Sequence, residues 1–194
     1  MKIRSIVAAL AASLVIAACS QKDPAREAID AAESALNAVY EDAEKYVPER
    51  YAEVKKELEA ARAAFAEERY ADAIAAVKDV PAHAETLAKE AAAEKERRIA
   101  EMNADWARVS GSLPALLSGI GARLSELGKL RKLPEGMDEQ LLEEANAALA
   151  SAESTWGEAE AARDAGDLEA ATGKARAAEG MAQDLAARLG MQAG

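Results

Sequence analysis

Two of the residue types that most often carry protein chemistry occur once each in this chain, Cys19 and His83. A lone thiol can serve as nucleophile, metal ligand or attachment point, and the first two roles need partners of matching chemistry. A helical metal site needs two or more histidines, or carboxylates arranged with a Glu-x-x-His pair. His83 has Asp79 at i−4 and Glu85 at i+2 but no second histidine, so a surface or helix-packing role is expected. Ser110, Ser112 and Ser118 have no histidine near them in sequence. "GSLPALLSGIG" contains glycines without the lysine of a phosphate-binding loop. Glu67-Glu68 and Glu143-Glu144 are adjacent, and adjacent residues on a helix point apart, so both pairs read as solvated faces. There is no calcium-loop signature. These residues predict no catalytic set, no metal site and no cofactor, and the chain is expected not to be an enzyme. Trp106 and Trp156 each stand alone in polar, alanine-rich surroundings. They read either as core anchors or as exposed contact points for a partner, where tryptophan is enriched.

Cys19 takes its meaning from what precedes it. "MKIRS" carries Lys2 and Arg4, and the thirteen residues Ile6 to Ala18 carry no charge. This is the layout of a signal peptide, a positive start followed by an apolar stretch. Thirteen helical residues span roughly 20 Å, short of the ~30 Å hydrocarbon core, so a permanent transmembrane helix is not expected. Ile16-Ala17-Ala18-Cys19 resembles a bacterial lipobox, in which a branched apolar residue and two small ones precede a lipidated cysteine. The resemblance implies removal of residues 1–18, cleavage between Ala18 and Cys19, and acylation of Cys19 on its sulfur and its new amino group. Two or more acyl chains give stable membrane anchoring where one does not. The lipid would use up the only thiol, which excludes Cys/His catalysis. In enteric-type sorting an aspartate after the cysteine favours the inner membrane. Ser20 in that place implies outer-membrane anchoring, with the rest of the chain on the periplasmic face.

Charge and composition narrow the partners. The chain holds 24 basic and 35 acidic residues; removing the leader's two bases leaves a net charge near −13. That balance argues against nucleic acid and anionic headgroups, and its bland meaning is a solvated acidic surface. With one cysteine no intrachain disulfide is possible. Alanine fills 52 of 194 positions, with Glu, Lys, Arg and Leu behind it, while aromatics number seven. These are the strongest helix formers, so the chain after the leader should be all-α, an antiparallel bundle of about six helices. Ala-rich faces bury little apolar area each, which predicts a slender bundle of modest stability.

The periodicity places the elements. Residues 19–23 form a lipidated tether, Asp23 caps the first helix with Pro24 at its first position, and Ile29, Ala32, Leu36, Val39 and Ala43 make its face. The helix ends near Lys45, because the residue before Pro48 is pushed out of the α region. A second helix from Pro48 carries Tyr51, Val54, Leu58, Ala61 and Phe65, and turns at "EERYAD". A third carries Tyr70, Ile74, Val77, Ala84, Leu87 and Ala91, split or kinked near residues 77–81 by Pro81. "SGSLP", residues 110–114, predicts the next break. A leucine-rich helix follows with Leu113, Leu116, Leu117, Ile120, Leu124, Leu127 and Leu130, the greasiest face in the mature chain. "KLPEGMD" ends it. A fifth helix runs from about Asp138 to Ala165, and "AGD" separates it from a sixth, residues 168–189.

The two halves look alike. "KYVPE" (45–49) matches "RKLPE" (131–135) at an offset of 86, and "FAEERYADAIAA" (65–76) matches "RDAGDLEAATGK" (163–174) at 98. The fifth helix is therefore expected to exceed the second by about three turns. Two related three-helix units follow, residues 24–105 and 106–194. The turns "ERYADA" and "AGDLEAA" are similar to tetratricopeptide hairpins, although the 34-residue period is absent. Residues 25–95 also resemble an alanine-rich helical domain family of Gram-negative envelope lipoproteins, some of which carry an OmpA-like module that does not follow here. The resemblance rests on Tyr46-Val47-Pro48, Leu58 to Ala61, and Tyr70 to Ala73. The family has no assigned activity, so it implies an envelope location and a helical fold and nothing about mechanism.

The expectation is a non-enzymatic outer-membrane lipoprotein, tied to the membrane through Cys19, that binds another envelope protein and no nucleic acid. Its contact residues would be Trp106, Trp156 and the leucine face at Leu116, Leu117, Ile120 and Leu124, used as a partner groove or as a dimer seam. The oligomeric state stays open. The alternative is a ligand- or cell-wall-binding lipoprotein using a cleft between the two units.

Overall fold

The computed structural model describes residues 21–191, so the lipobox and Cys19 lie outside the described residues. The described chain is all-α, and no strand occurs among those residues. The helices are α1 (Lys22–Tyr46), α2 (Pro48–Ala66), α3 (Tyr70–Val77), α4 (Val80–Gly128), α5 (Glu139–Asp164) and α6 (Leu168–Arg188). They divide into two compact units at Arg97/Arg98, with α4 contributing residues to both.

In the first unit α1, α2, α3 and the start of α4 close around a core that includes Ile29, Leu36, Val54, Leu58, Tyr70, Val77, Val80 and Leu87. Pro48 sits at the first position of α2, where its missing N–H has no helical partner to lose. Pro81 does the same one position into α4 and leaves the Val77 carbonyl without its usual donor. The helix therefore breaks at Lys78-Asp79, inside the stretch where the sequence places it. The start of α1 differs from expectation. The cap is Gln21, without a side-chain hydrogen bond, and Asp23 lies in the first turn, where its carboxylate faces the positive end of the helix dipole. Pro24 is tolerated there because the first turn's N–H groups need no helical acceptor.

In the second unit α5 and α6 pack with the latter part of α4 around Val109, Leu113, Leu117, Ile120, Leu124, Leu127, Trp156 and Leu185. The break expected at residues 110–114 does not exist, because α4 runs through it with Pro114 inside. Val109, Leu113 and Leu117 are all at most 5% exposed, so an uninterrupted helical face is needed to bury them together. Burial overrides the local propensity of Gly111 and Pro114. The hydroxyls of Ser110 and Ser112 donate to the carbonyls of Ala107 and Arg108 at 3.4 and 3.1 Å, satisfied within the helix rather than leaving it.

The halves repeat one plan, with a different insertion from the one expected. The buried positions Val54, Leu58, Ala61, Tyr70, Ala73, Val77, Val80, Ala84, Leu87 and Ala91 recur 98 residues on. Their counterparts are Ala152, Trp156, Ala159, Leu168, Ala171, Ala175, Ala178, Ala182, Leu185 and Leu189, all but Leu168 buried. Ala25, Ile29, Leu36 and Ala43 recur at 84, as Val109, Leu113, Ile120 and Leu127. "RKLPE" is not the counterpart of "KYVPE": Pro48 opens a helix, whereas Pro134 lies in the loop before α5. With 26 residues, α5 exceeds the 19-residue α2 by about two turns, and the remaining insertion sits in that loop.

Candidate functional site

No helix among the described residues is long and apolar enough to cross a membrane. No group of three or more His, Cys, Asp or Glu among them is placed to hold a metal ion. His83 uses Nδ1 to meet Glu57 Oε2 at 3.0 Å, a part-buried cross-link between α4 and α2. Glu67 accepts from Arg69 at 2.9 Å and Glu144 from Gln140 at 3.1 Å, so these carboxylates belong to surface hydrogen bonds.

The two tryptophans, far apart in sequence, meet. Trp106 of α4 and Trp156 of α5 stack with ring centroids 5.3 Å apart and planes 19° apart, and the Arg163 guanidinium lies 5.6 Å over the Trp106 ring. Trp156 is 9% exposed and belongs to the core, while Trp106 is partly buried against it. Of the leucine face, Leu117, Ile120 and Leu124 are buried within the unit, and Leu116 remains half-covered.

Leu116 opens onto a groove of about 390 Å³ between α4 and α6. Leu113, Ala186, Ala187 and Met191 form its apolar walls, and Ser112, Glu179 and Gln183 its polar edge. The sequence builds this groove locally. Gly190, at φ +68°, reverses the chain after α6, and the Met191 N–H returns to the Ala186 carbonyl at 2.9 Å. Met191 then reaches α4 at Gly119, where an added Cβ would stand 3.6 Å from its Cε. Beside the groove, Arg108 donates to Glu179 at 2.6 and 2.9 Å and to Asp105 at 3.5 Å, and Asp105 also pairs with Arg176. Glu179 first, then Asp105, raises the Arg108 pKa above its usual range. The network holds α4 to α6 and leaves the groove edge with no unpaired base.

A second concavity lies in the first unit. It is polar, encloses about 490 Å³, and is lined by Asn37, Tyr40 and Asp42 of α1 and Lys95 of α4, among others. Nothing in the hydrophobic periodicity singles it out. The available signal is Tyr40 itself, one position off the α1 apolar stripe and 43% exposed. Comparison of the chain with family models, curated proteins and solved structures finds no match.

Proposed function

We propose that this chain is a non-enzymatic lipoprotein of the cell envelope, anchored through Cys19 to the outer membrane, and that its second helical unit docks another protein on the periplasmic side. The observation that carries the docking role is the groove at Leu116, an apolar trough between two helices with a hydrophilic edge. It lies between α4 and α6, and the docking mode is that in which an amphipathic segment sets its apolar residues into a groove. The acidic chain, at net charge −11, favours a basic partner, so the occupant is a basic amphipathic helix of a second protein. The membrane role rests on Ile16-Ala17-Ala18-Cys19 and on the lipobox it resembles.

Photo-crosslinking in intact cells tests both parts. A photoreactive residue at Gln183 should give one dominant adduct, lost when Leu116 is replaced by Asp and when Cys19→Ala prevents anchoring. Adducts that survive Leu116→Asp, self-adducts alone, or none from a chain shown by mass spectrometry to be acylated would each overturn the docking reading. A Cys19 without lipid would overturn the anchor.

A further inference from the structure

The polar cleft of the first unit has the construction of a small-ligand site, and its chemistry selects a ligand class. It encloses about 490 Å³, and a neighbouring hollow of about 280 Å³ shares Asn37 and Tyr40 with it. Small-ligand sites commonly occupy ~300–1,000 Å³. Tyr40 therefore stands between two hollows, within α1 rather than on a loop. Its ring is braced from the side by Tyr51 of α2, edge-on at 5.7 Å and 61°. Glu44, four residues on, raises the Tyr40 phenol's pKa and so keeps the group a donor. Tyr40 is 43% exposed despite this support. An aromatic held in place yet left uncovered offers an apolar face with a polar rim.

Charge narrows the choice. The seven charged residues around the two hollows are four acids and three bases, and several are already matched. Asp42 meets Lys95 at 3.2 Å and Glu33 meets Arg62 at 2.7 Å. A cleft so balanced has no field to draw in an anion, and one surplus acid is little for a cation. A greasy ligand is no better served, since the larger hollow presents more polar than apolar surface. What remains is a neutral molecule with apolar C–H faces and many hydroxyl edges. The Asn37 amide both donates and accepts, Asp42 accepts and Lys95 donates, so hydroxyls of either polarity find a partner.

We propose that this cleft binds a neutral oligosaccharide, with one sugar ring lying on Tyr40 and its hydroxyls bonded by Asn37, Asp42 and Lys95. The second hollow receives the adjoining residue of the glycan. This site belongs to the first unit and stands independently of the groove at Leu116.

The test is a titration of the acylated full-length protein, in detergent micelles, with chitotetraose and separately with cellotetraose, read by amide and side-chain NMR shifts. Saturable shifts at Asn37, Tyr40 and Lys95 are expected with at least one of the two. Response to chitotetraose alone would assign the ligand to acetamido sugars, and response to both to hexose rings generally. Tyr40→Ala should weaken binding by about tenfold or more while Tyr40→Phe, which keeps the ring, changes it little. Asn37→Ala, at an exposed position, provides a second loss variant should Tyr40→Ala fold poorly. Absence of shifts with both sugars at millimolar concentration, or binding undiminished in both loss variants, would overturn the proposal.

Discussion

The turn between α2 and α3 and the turn between α5 and α6 solve one geometric problem with different residues. Each ends a helix with the same hydrogen bonds. Arg69 N–H reaches the Ala64 carbonyl at 2.9 Å and Asp167 N–H the Ala162 carbonyl at 2.9 Å; Glu68 bonds to Phe65, and Gly166 to Arg163, at 3.0 Å. The left-handed position falls to Glu68 (φ 60°) in one and to Gly166 (φ 83°) in the other. Only the glycine takes that conformation without a Cβ penalty. The next residue differs too. Asp167 caps α6 by accepting from Ala170 N–H at 2.9 Å, whereas Arg69 has no acceptor to offer and instead pairs with Glu67 and Asp72. The first unit thus keeps the turn against two local preferences. Tyr70, 9% exposed and edge-on to Phe65 at 5.2 Å, contributes the compensating burial, whereas its counterpart Leu168 is only half-covered. Backbone geometry is conserved between the halves where packing demands it, even when the residue best suited to it is missing.

The cores differ in the same compensating way. The first unit has small residues on its first helix, Ala25, Ala32 and Ala43, and larger ones at Val77 and Val80. In the second the first helix is large, with Val109, Leu116 and Leu127, and the facing positions shrink to Ala175 and Ala178. Larger side chains on one helix are met by smaller ones at the facing positions, as a close-packed interior requires.

The comparison can be broken in several places. Trp156→Ala should cost about 3–5 kcal/mol, for it removes the largest core side chain and the Trp106 stack. Leu58→Ala, at the matching place, should cost about 2–5 kcal/mol. Both tryptophans lie in the second unit and all tyrosines in the first, so tryptophan fluorescence in urea reports one half. If Leu58→Ala moves the tryptophan transition as far as Trp156→Ala does, the two units unfold as one cooperative block and not as two.

The prolines come next. Pro114 is inside α4 and has no N–H for the Ser110 carbonyl, whereas Pro81 lies in its first turn. Pro114→Ala should stabilise the second unit by up to about 3 kcal/mol, and Pro81→Ala should be near neutral in thermal melts. A destabilising Pro114→Ala would mean that the helix needs the proline's local geometry.

The turn residues should respond with opposite signs. Glu68→Gly should stabilise by about 0.5–1 kcal/mol by removing the left-handed strain, and Gly166→Ala should destabilise by about 1–2 kcal/mol. Equal signs in denaturant midpoints would show that the two turns are not equivalent.

The smallest effect is a titration. Glu44 raises the Tyr40 pKa through a hydrogen bond and its charge, and burial raises that of Tyr51. Both folded-state values lie above the unfolded ones. Any stability linked to these phenols is therefore complete below the unfolded phenol pKa and is lost as pH rises through the folded value. Ultraviolet difference spectra should show these tyrosines ionising late, and Glu44→Gln should bring Tyr40 back toward the ordinary phenol range. No change in Glu44→Gln would remove that bond.

Much of the helix plan was legible because its signals are local. Pro48 at a first position, Asp138 accepting from Leu141 N–H at 2.7 Å, and Gly166-Asp167 as stop and start act within a few residues of themselves. The break at residues 78–79 follows from one missing N–H. The site features were not legible in this way. The stacking of Trp106 on Trp156 spans 50 positions, and the groove at Leu116 is completed by residues of α6.

By itself the sequence determined the all-α class and most of the helix ends, because propensity, capping and the missing proline N–H are properties of short segments. Only the tertiary structure decided that Gly111 and Pro114 stay helical, that the inserted residues divide between α5 and the loop before it, and that Tyr40 stands exposed between two hollows. Those outcomes depend on which apolar faces are buried together, and the free energy of burial is shared among residues far apart in the chain.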